Sequence, residues 1–568
     1  MNKKIKKSVA MLLNTALIAS SILFQSVITS AQEKSDAFIA DREIHGLVFQ
    51  DAGDVGGDTL SPEIAAYIKE RTGITLKLEA ITTESSREAL VAGLASGDLP
   101  DFIGFYLNHS GRPEFPLLLN ASNEGMFHDL APYLKESKNY KKYYEEDYLP
   151  RDTKENIMMR KDHDGATYMV HMSIPEHSEI DEGNNIGGMF IRKDIAEALD
   201  FKTHDIKTSE ELTELLKKIK DGNFKDDHGN PVTPLGPTIW GGLDRKYAYS
   251  DLIWEGDRAE KIMQDQEGNI KHEAMTDFAN KRVDLVRSWM KEGLIHPEYY
   301  TMEENRSKEN VLNGVYGIIA DVTSSNAEIL DENGELRYIP FGVLNRADGK
   351  DHEVDPYKWG YSGWAIPTTT EKPEEIVKFA DWLAGPEGKL LYFYGLEGKH
   401  YDLNEGGKPV IKEEILKLAE EKPDEAKKLG FRGVGARWGE HLGYTNINNM
   451  DQFGEVDWGT SFAKETKQGK AMEEAAQMYQ LEERLAEREV VDGLTPRAYL
   501  YEFEGDEGEL SIALDQWNDE IVKAYYAKTK EEADAIIDAA RQDLLDAGIE
   551  DYCQFLKEKQ ESGEVIFW

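Results

Sequence analysis

The sequence predicts an α/β protein built on mostly parallel sheets covered by helices, and three observations carry that prediction. The first is the run from Ser61 to Tyr106, SPEIAAYIKERTGITLKLEAITTESSREALVAGLASGDLPDFIGFY. In it a helix-period stretch (Ile64, Tyr67, Ile68) leads into a strand, a second helix, a Ser-Gly-Asp-Leu-Pro-Asp turn and another apolar strand. Strands alternating with helices in this way pair in parallel, because each crossover helix returns the chain to the same end of the sheet. The second is a set of amphipathic helices with legible caps. The third is a series of short apolar runs between those helices, each of strand length: Tyr168–Met172, Met189–Arg192, Val315–Ala320, Tyr338–Val343 and Trp364–Pro367.

Taken from the start, MNKKIKK is a basic stretch followed by a mostly apolar one from Ser8 to Ser30, with Thr29-Ser30-Ala31 as a small-residue cleavage site. This is the pattern of a secretory signal peptide over residues 1–31. An uncleaved membrane anchor is the competing reading, weakened by Asn14, the serines and Gln25. Leu17-Ile18-Ala19-Ser20 resembles a lipidation lead-in with serine where cysteine is needed, and the one cysteine is Cys553. Neither a lipid anchor nor an intrachain disulfide is therefore expected, and how an exported chain would stay at the cell surface is open.

Beyond the first β–α alternation, Thr208 and Glu211 form a capping box ahead of Leu212, Leu215, Leu216 and Ile219 on one face. Thr370 is expected to start another helix, with Pro373 in its first turn and Ile376, Phe379, Ala380 and Leu383 as the buried stripe. Thr529 and Glu532 cap a late helix whose apolar face is Ala533, Ile536, Ile537, Ala540 and Leu544. No internal repeat and no low-complexity linker divides the chain.

Its 568 residues exceed one ordinary domain, and 40% hydrophobic with 31% charged residues is a globular composition. The formal net charge of −42 becomes more negative still if Lys3, Lys4, Lys6 and Lys7 leave with a signal peptide. Such a surface repels phosphate backbones and excludes nucleic acid as a partner. Enzyme signatures are missing: no H-E-x-x-H, no G-x-S-x-G, no Walker loop, and Gly433–Gly439 (GVGARWG) lacks dinucleotide spacing. Asp221, Asn223, Asp226, Asp227 and Asn230 supply oxygens without a regular calcium-loop array, and Pro231 intrudes, so the segment reads as a polar turn. No catalytic residue, metal or cofactor is expected.

The aromatic inventory points to sugar, since pyranose C–H faces stack on rings while hydroxyls need amides or carboxylates beside them. Trp289, Trp382 and Trp517 sit at helical apolar spacing and belong to the core. Six others lie in glycine-rich, loop-like settings: Trp240 (TIWGG), Trp254 (LIWEG), Trp359 and Trp364 (KWGYSGW), Trp438 (ARWGE) and Trp458 (VDWGT). Each either lines a cleft or caps a core, and several are expected to share one cleft.

The order of ASGDLPDFIGFY, MFIRKDIAEAL, TSEELTELLKKIKDGNF, NGVYGII and the segment from Trp364 to Tyr401 resembles family 1 extracellular solute-binding proteins, the capture subunits of carbohydrate ABC importers. YGLEGKHYDL is similar to the long members that take oligosaccharides. The resemblance implies a two-lobed periplasmic-binding-protein-like fold of type II with a hinge between the lobes. Lobe 1 would hold residues 41–172 and 363–440, and lobe 2 residues 173–362 and 441–568. It implies a monomer that captures an oligosaccharide and hands it unchanged to permease subunits. Tyr106, Asn108 and His109 would contact sugar after the Asp-Phe-Ile strand. Tyr168 and His171 at the first crossing would face Trp359, Tyr361 and Trp364 at the second. Glu397, in the YGLEG turn, would accept hydroxyl hydrogen bonds. Two other classes stay open: a secreted glycan-active enzyme with two carboxylates in one cleft, and a ligand-binding sensor for a receptor kinase.

Overall fold

The computed structural model describes residues 37–50, 60–106, 114–144, 165–172, 185–244, 246–252, 255–256, 261–350, 354–356, 362–436, 438, 456–457, 462–463, 467–487, 489–491, 500, 503 and 507–562. The expected signal peptide lies outside them.

The first alternation folds as written. β1 (Arg42–Gln50) is followed by α1 (Pro62–Thr72), β2 (Ile74–Thr82), α2 (Thr83–Ser96) and β3 (Phe102–Tyr106). Ser61 caps α1 by accepting from Ile64 N, and Gly73 ends the helix in the left-handed region at φ 79°. Next come β4 (Val170–Met172), β5 (Gly187–Arg192), α3 (Ser209–Asp221), β6 (Thr233–Gly236), α4 (Phe278–Glu292), β7 (Tyr316–Thr323), β8 (Tyr338–Pro340) and β9 (Ser362–Ala365). All five apolar runs read from the sequence contribute strands. Helices α5 (Pro373–Leu383), α6 (Pro386–Tyr394), α7 (Lys467–Tyr479), α8 (Glu507–Tyr525), α9 (Lys530–Asp546) and α10 (Ile549–Glu561) follow.

These strands form two mixed sheets. Sheet 1 has the order β2-β1-β3-β9-β4, with β1, β2 and β3 parallel and β9 antiparallel to both its neighbours. Sheet 2 has the order β8-β5-β7-β6, where β7 and β6 are parallel and β5 runs against β7 and β8. The capping box of α3 is present, with both reciprocal hydrogen bonds, and Leu212, Leu215, Leu216 and Ile219 are buried. The start of α5 differs from expectation. Lys372 sits at φ 52°, outside helical geometry, so Pro373 is the first helical residue, and the Thr370 hydroxyl instead donates to Asp101 O at 3.1 Å. Ile376, Phe379, Ala380 and Leu383 are buried as the spacing required. In α9, Thr529 accepts from Glu532 N while Ala533, Ile537, Ala540 and Leu544 are buried.

The C-terminal helices attach to α4 and the segment before it. Trp517 Nε1 donates to Glu273 Oε1 at 2.8 Å, Arg287 reaches Ala524 O at 3.0 Å, and Lys530 pairs with Asp284 at 2.9 Å. Beneath them Arg282 and Glu273, each 1% exposed, form an ion pair of 2.6 Å. Burial opposes ionisation of Glu273, and the charges of Arg282, Lys261 and His272 with the Trp517 hydrogen bond overcome it, holding the carboxyl well below its usual value.

One five-residue turn recurs in the loops: Asp226–Asn230, Asp265–Asn269, Asp331–Glu335, Arg346–Lys350 and Asn404–Lys408. In each, the first residue's N–H bonds the fifth residue's carbonyl, and the fourth-position glycine, at φ 77–80°, bonds the first residue's carbonyl. Only glycine takes that conformation without strain, which is why it recurs at the fourth place. In four of the five turns an Asp or Asn side chain at the first position also accepts from the backbone two and four residues on.

Candidate saccharide-binding edge

In open α/β sheets ligands gather beyond the carboxyl ends of the parallel strands. That edge of sheet 1 comprises the ends of β1, β2, β3 and β4 and the start of β9. The two expected crossings meet there: Ser362 pairs with Met172 on one side and with Tyr106 on the other. On sheet 2 the corresponding edge is the end of β6, the end of β7 and the start of β5.

Two features occupy the sheet 2 edge. One is the Trp240 loop after β6. Ile239 N donates to Asp321 O at 2.9 Å, which ties the loop to β7. The Thr238 hydroxyl accepts from Trp240 N at 3.1 Å and donates to Gly241 O at 3.0 Å, while the Ser307 hydroxyl donates to Thr238 O at 2.7 Å. The loop lies against the 300–304 backbone, where a Cβ on Gly242 would stand 2.4 Å from the carbonyl carbon of Tyr300. Trp240 is half-buried on an apolar cluster that includes Ile186, Ile239, Ile319 and Ala471. The second feature is the turn Thr323–Asn326, with Asn185 before β5 and Gln468 from α7. Thr323 N and its hydroxyl both bond Asn326 Oδ1, at 3.0 and 2.7 Å. Ser325 N and the Ser324 hydroxyl both bond Asn185 Oδ1, at 3.1 and 3.2 Å. Gln468 Nε2 donates to Ser324 O at 2.9 Å. Sequence reading missed this cluster. The signal was present, since four consecutive small polar residues (TSSN) mark the end of a mostly apolar strand.

The sheet 1 edge carries the Glu397 turn. Lys399 pairs with Glu63 near the start of α1, and Gly430 packs against Ser61. Glu397 is exposed beside Tyr401, whose phenol is pushed up by burial and then by the Glu397 charge. His400, stacked on Phe431 at 5.0 Å, is pushed down by burial and by Lys399.

The expected site residues divide into three groups. Trp240 and Glu397 are accessible. Tyr168, His171, Trp364 and Trp438 are buried, with at most 8% exposure, so no ring face among them is open to a ligand in this conformation. Trp364 stands edge-on to Phe102 with ring centroids 4.3 Å apart, over the strand position of Gly104, and Trp438 donates to Gly430 O and meets Tyr392 edge-on. Tyr106 ends β3, where its backbone pairs with Ser362. Asn108, His109, Trp254, Trp359, Tyr361 and Trp458 lie outside the described residues. Trp289 and Trp517 are 1% exposed and Trp382 is partly buried, as their helical spacing required.

A wide groove of about 1090 Å³, lined by Arg42, Lys77, Asp98 and Thr370 among others, opens at the opposite end of sheet 1, by the amino ends of β1 and β3. Two of the residues considered for calcium, Asp226 and Asp227, have their carboxylates engaged within the fold. Asp226 accepts from His228 N and Asn230 N at 2.9 and 2.7 Å and from Asn230 Nδ2 at 3.2 Å, and Asp227 pairs with Arg337. Among the described residues no group of three His, Cys, Asp or Glu is placed to hold a metal, and no helix is long and apolar enough to cross a membrane.

Residues 53–390 match the family described as bacterial extracellular solute-binding protein. Among curated proteins, the chain is 24% identical over 363 residues to Lipoprotein LipO of Bacillus subtilis (strain 168), covering 61% of this chain and 65% of that one. It is 23% identical over 351 residues to the polygalacturonan/rhamnogalacturonan-binding protein YtcQ of the same organism, covering 60% and 63%. The match thus spans just under two thirds of the length of each relative. Among solved structures, alginate-binding protein AlgQ2 without calcium ion aligns with a TM-score of 0.64 at 18% identity, over 92% of this chain and 99% of that one. An HMO-binding, ABC-transporter-associated solute-binding protein from Bifidobacterium longum infantis aligns with a TM-score of 0.60 at 17% identity, over 91% and 98%. At these identities the likeness is one of fold, the two-lobed periplasmic-binding-protein type.

Proposed function

The chain belongs to the bacterial extracellular solute-binding proteins, and from that premise we propose that it captures an oligosaccharide between two lobes and delivers it, unchanged, to the permease of an ABC transporter. The observation that carries this reading is the sheet 2 edge, where a half-buried indole and a set of amide and hydroxyl groups stand together. Aromatic faces with convergent hydrogen-bonding groups are what a neutral, hydroxyl-rich ring needs for binding in water.

Lobe 1 is residues 41–172 and 363–440, and lobe 2 is residues 173–362 and 441–568. Sheet 1 draws its strands from the first set, apart from Ser362, and sheet 2 from the second, which supports the division. The side-by-side pairing of β4 with β9 supports a two-strand hinge, since both connections leave sheet 1 at one place. Trp240 supplies a stacking face from lobe 2 and Glu397 a carboxylate from lobe 1. Asn108, His109, Trp254, Trp359, Tyr361 and Trp458 are kept as proposed sugar contacts on the sequence reading alone. Residues 1–31 act as the export signal.

The polygalacturonan and rhamnogalacturonan binding of YtcQ selects the probes. Isothermal titration with galacturonan, rhamnogalacturonan and neutral galactan oligosaccharides is expected to show micromolar or tighter binding to at least one. Scattering is expected to show compaction only with that ligand. No heat with any probe, or conversion of a probe to shorter products, would overturn the reading.

A further inference from the structure

Resting on the saccharide-binding reading above, we propose that Asn185, Ser325 and Asn326 form a hydroxyl-reading subsite, with two amide groups fixed as donors and one serine oxygen fixed as an acceptor. The orientations follow from what each atom can do. A backbone N–H can only donate, so the Asn326 atom facing Thr323 N at 3.0 Å is its oxygen, as is the Asn185 atom facing Ser325 N at 3.1 Å. Each asparagine therefore carries its Nδ2 group on the other side, and neither Nδ2 donates to any described group. An amide oxygen carries no proton, so the Thr323 hydroxyl donates to Asn326 Oδ1 at 2.7 Å. With that proton committed, Ser325 must donate to Thr323 Oγ1 across 2.8 Å. Ser325 Oγ is left with lone pairs to offer.

The relay runs one way, from Ser325 through Thr323 to Asn326. Chains of this kind strengthen each successive bond, and an amide oxygen that accepts twice makes its own N–H groups better donors. The residues are half-buried at the carboxyl end of β7, beside the loop that carries Trp240. A carboxylate has only acceptors and would meet the Ser325 lone pairs unfavourably. A hydroxyl accepts from an amide and donates to the serine at once. The subsite therefore takes vicinal hydroxyls of a pyranose, and any uronate carboxylate on the same ligand is read elsewhere.

Asparagine-to-aspartate substitution isolates the outward group, because every described side-chain hydrogen bond of Asn185 and Asn326 uses only Oδ1. N185D and N326D keep those bonds and replace the outward donor with a charged acceptor. Both variants are expected to melt with the wild type while losing tenfold or more in affinity for the best of the galacturonan, rhamnogalacturonan and galactan oligosaccharides. Ser325→Ala, which removes the acceptor and leaves both amides, is expected to lose several-fold. If the wild type binds and a folded aspartate variant and S325A bind equally well, the subsite is refuted while the functional reading stands. A loss of affinity matched by a fall in melting temperature in all three variants would assign the cluster a purely structural role. A wild type that binds none of the three saccharides refutes both.

Discussion

At the residue scale, what a side chain does here depends on whether its neighbours leave it a surface. Trp240 rests on an apolar cluster with one side open, and its loop is fixed by Thr238 and the close approach at Gly242. Trp240→Ala is expected to weaken oligosaccharide binding about tenfold, the value of roughly 1.5 kcal/mol for a well-placed aromatic contact. Titration calorimetry with unchanged melting would confirm it, and equal affinity would refute it. Glu273 has the reverse character. Glu273→Gln keeps the side-chain shape but leaves Arg282 charged and buried, so about 3–5 kcal/mol of stability should be lost, read by urea denaturation. A change below about 1 kcal/mol would show that the pair contributes no more than a surface bridge. Glycine-flanked tryptophans were visible in the sequence as a class, but Trp364 and Trp438 turned out enclosed because their space comes from residues distant in the chain. The asparagine cluster could not be ranked from sequence, since its meaning lies in which amide atom meets a backbone N–H.

At the element scale, the alternation of strands and helices was legible because period, caps and turn chemistry agree locally. The α3 capping box and the buried stripes of α3, α5 and α9 are where the spacing put them. Thr370 was misread as a helix start because Lys372 adopts a left-handed conformation that no periodicity announces. The recurring five-residue turn shows the opposite case, a motif contained wholly in its own letters. Long-range latches are less visible. Glu387, in the first turn of α6, accepts from Tyr67 at 2.7 Å and Arg71 at 2.5 Å on α1 and from Trp382 at 3.2 Å on α5. Burial alone would raise its carboxyl, yet the bonds from Arg71, Tyr67 and Trp382 bring it below the usual value. A carboxyl depressed in the fold stabilises above its unfolded pKa of 4.5, and that contribution is lost as pH falls from there through the folded value. Glu387→Gln should therefore lower the melting temperature at pH 7 and flatten its fall between pH 5 and pH 3. Parallel pH profiles for wild type and variant would refute the latch.

At the scale of the whole molecule, the net charge of −42 is a standing self-repulsion that folding must oppose. Raising salt from about 10 mM to 150 mM shortens the screening length from about 30 Å to about 8 Å, so the melting temperature is expected to rise. Calorimetric scans across that range give the test, and a flat or falling profile would show the acidic surface to be locally compensated. The fold class was readable at this scale from the order of segments, whereas the facing of the lobes was not, since it depends on the strand partners of β9. That pairing has a temporal consequence. During synthesis β1, β2 and β3 emerge early, but the strand that covers β3 begins at Ser362. Sheet 2, contained between Gly187 and Pro340, can finish while β3 still offers a bare row of peptide groups to any passing chain. The sheet begun first is thus the sheet completed last, and a nascent chain stalled before Ser362 is a form exposed to aggregation and in need of a chaperone.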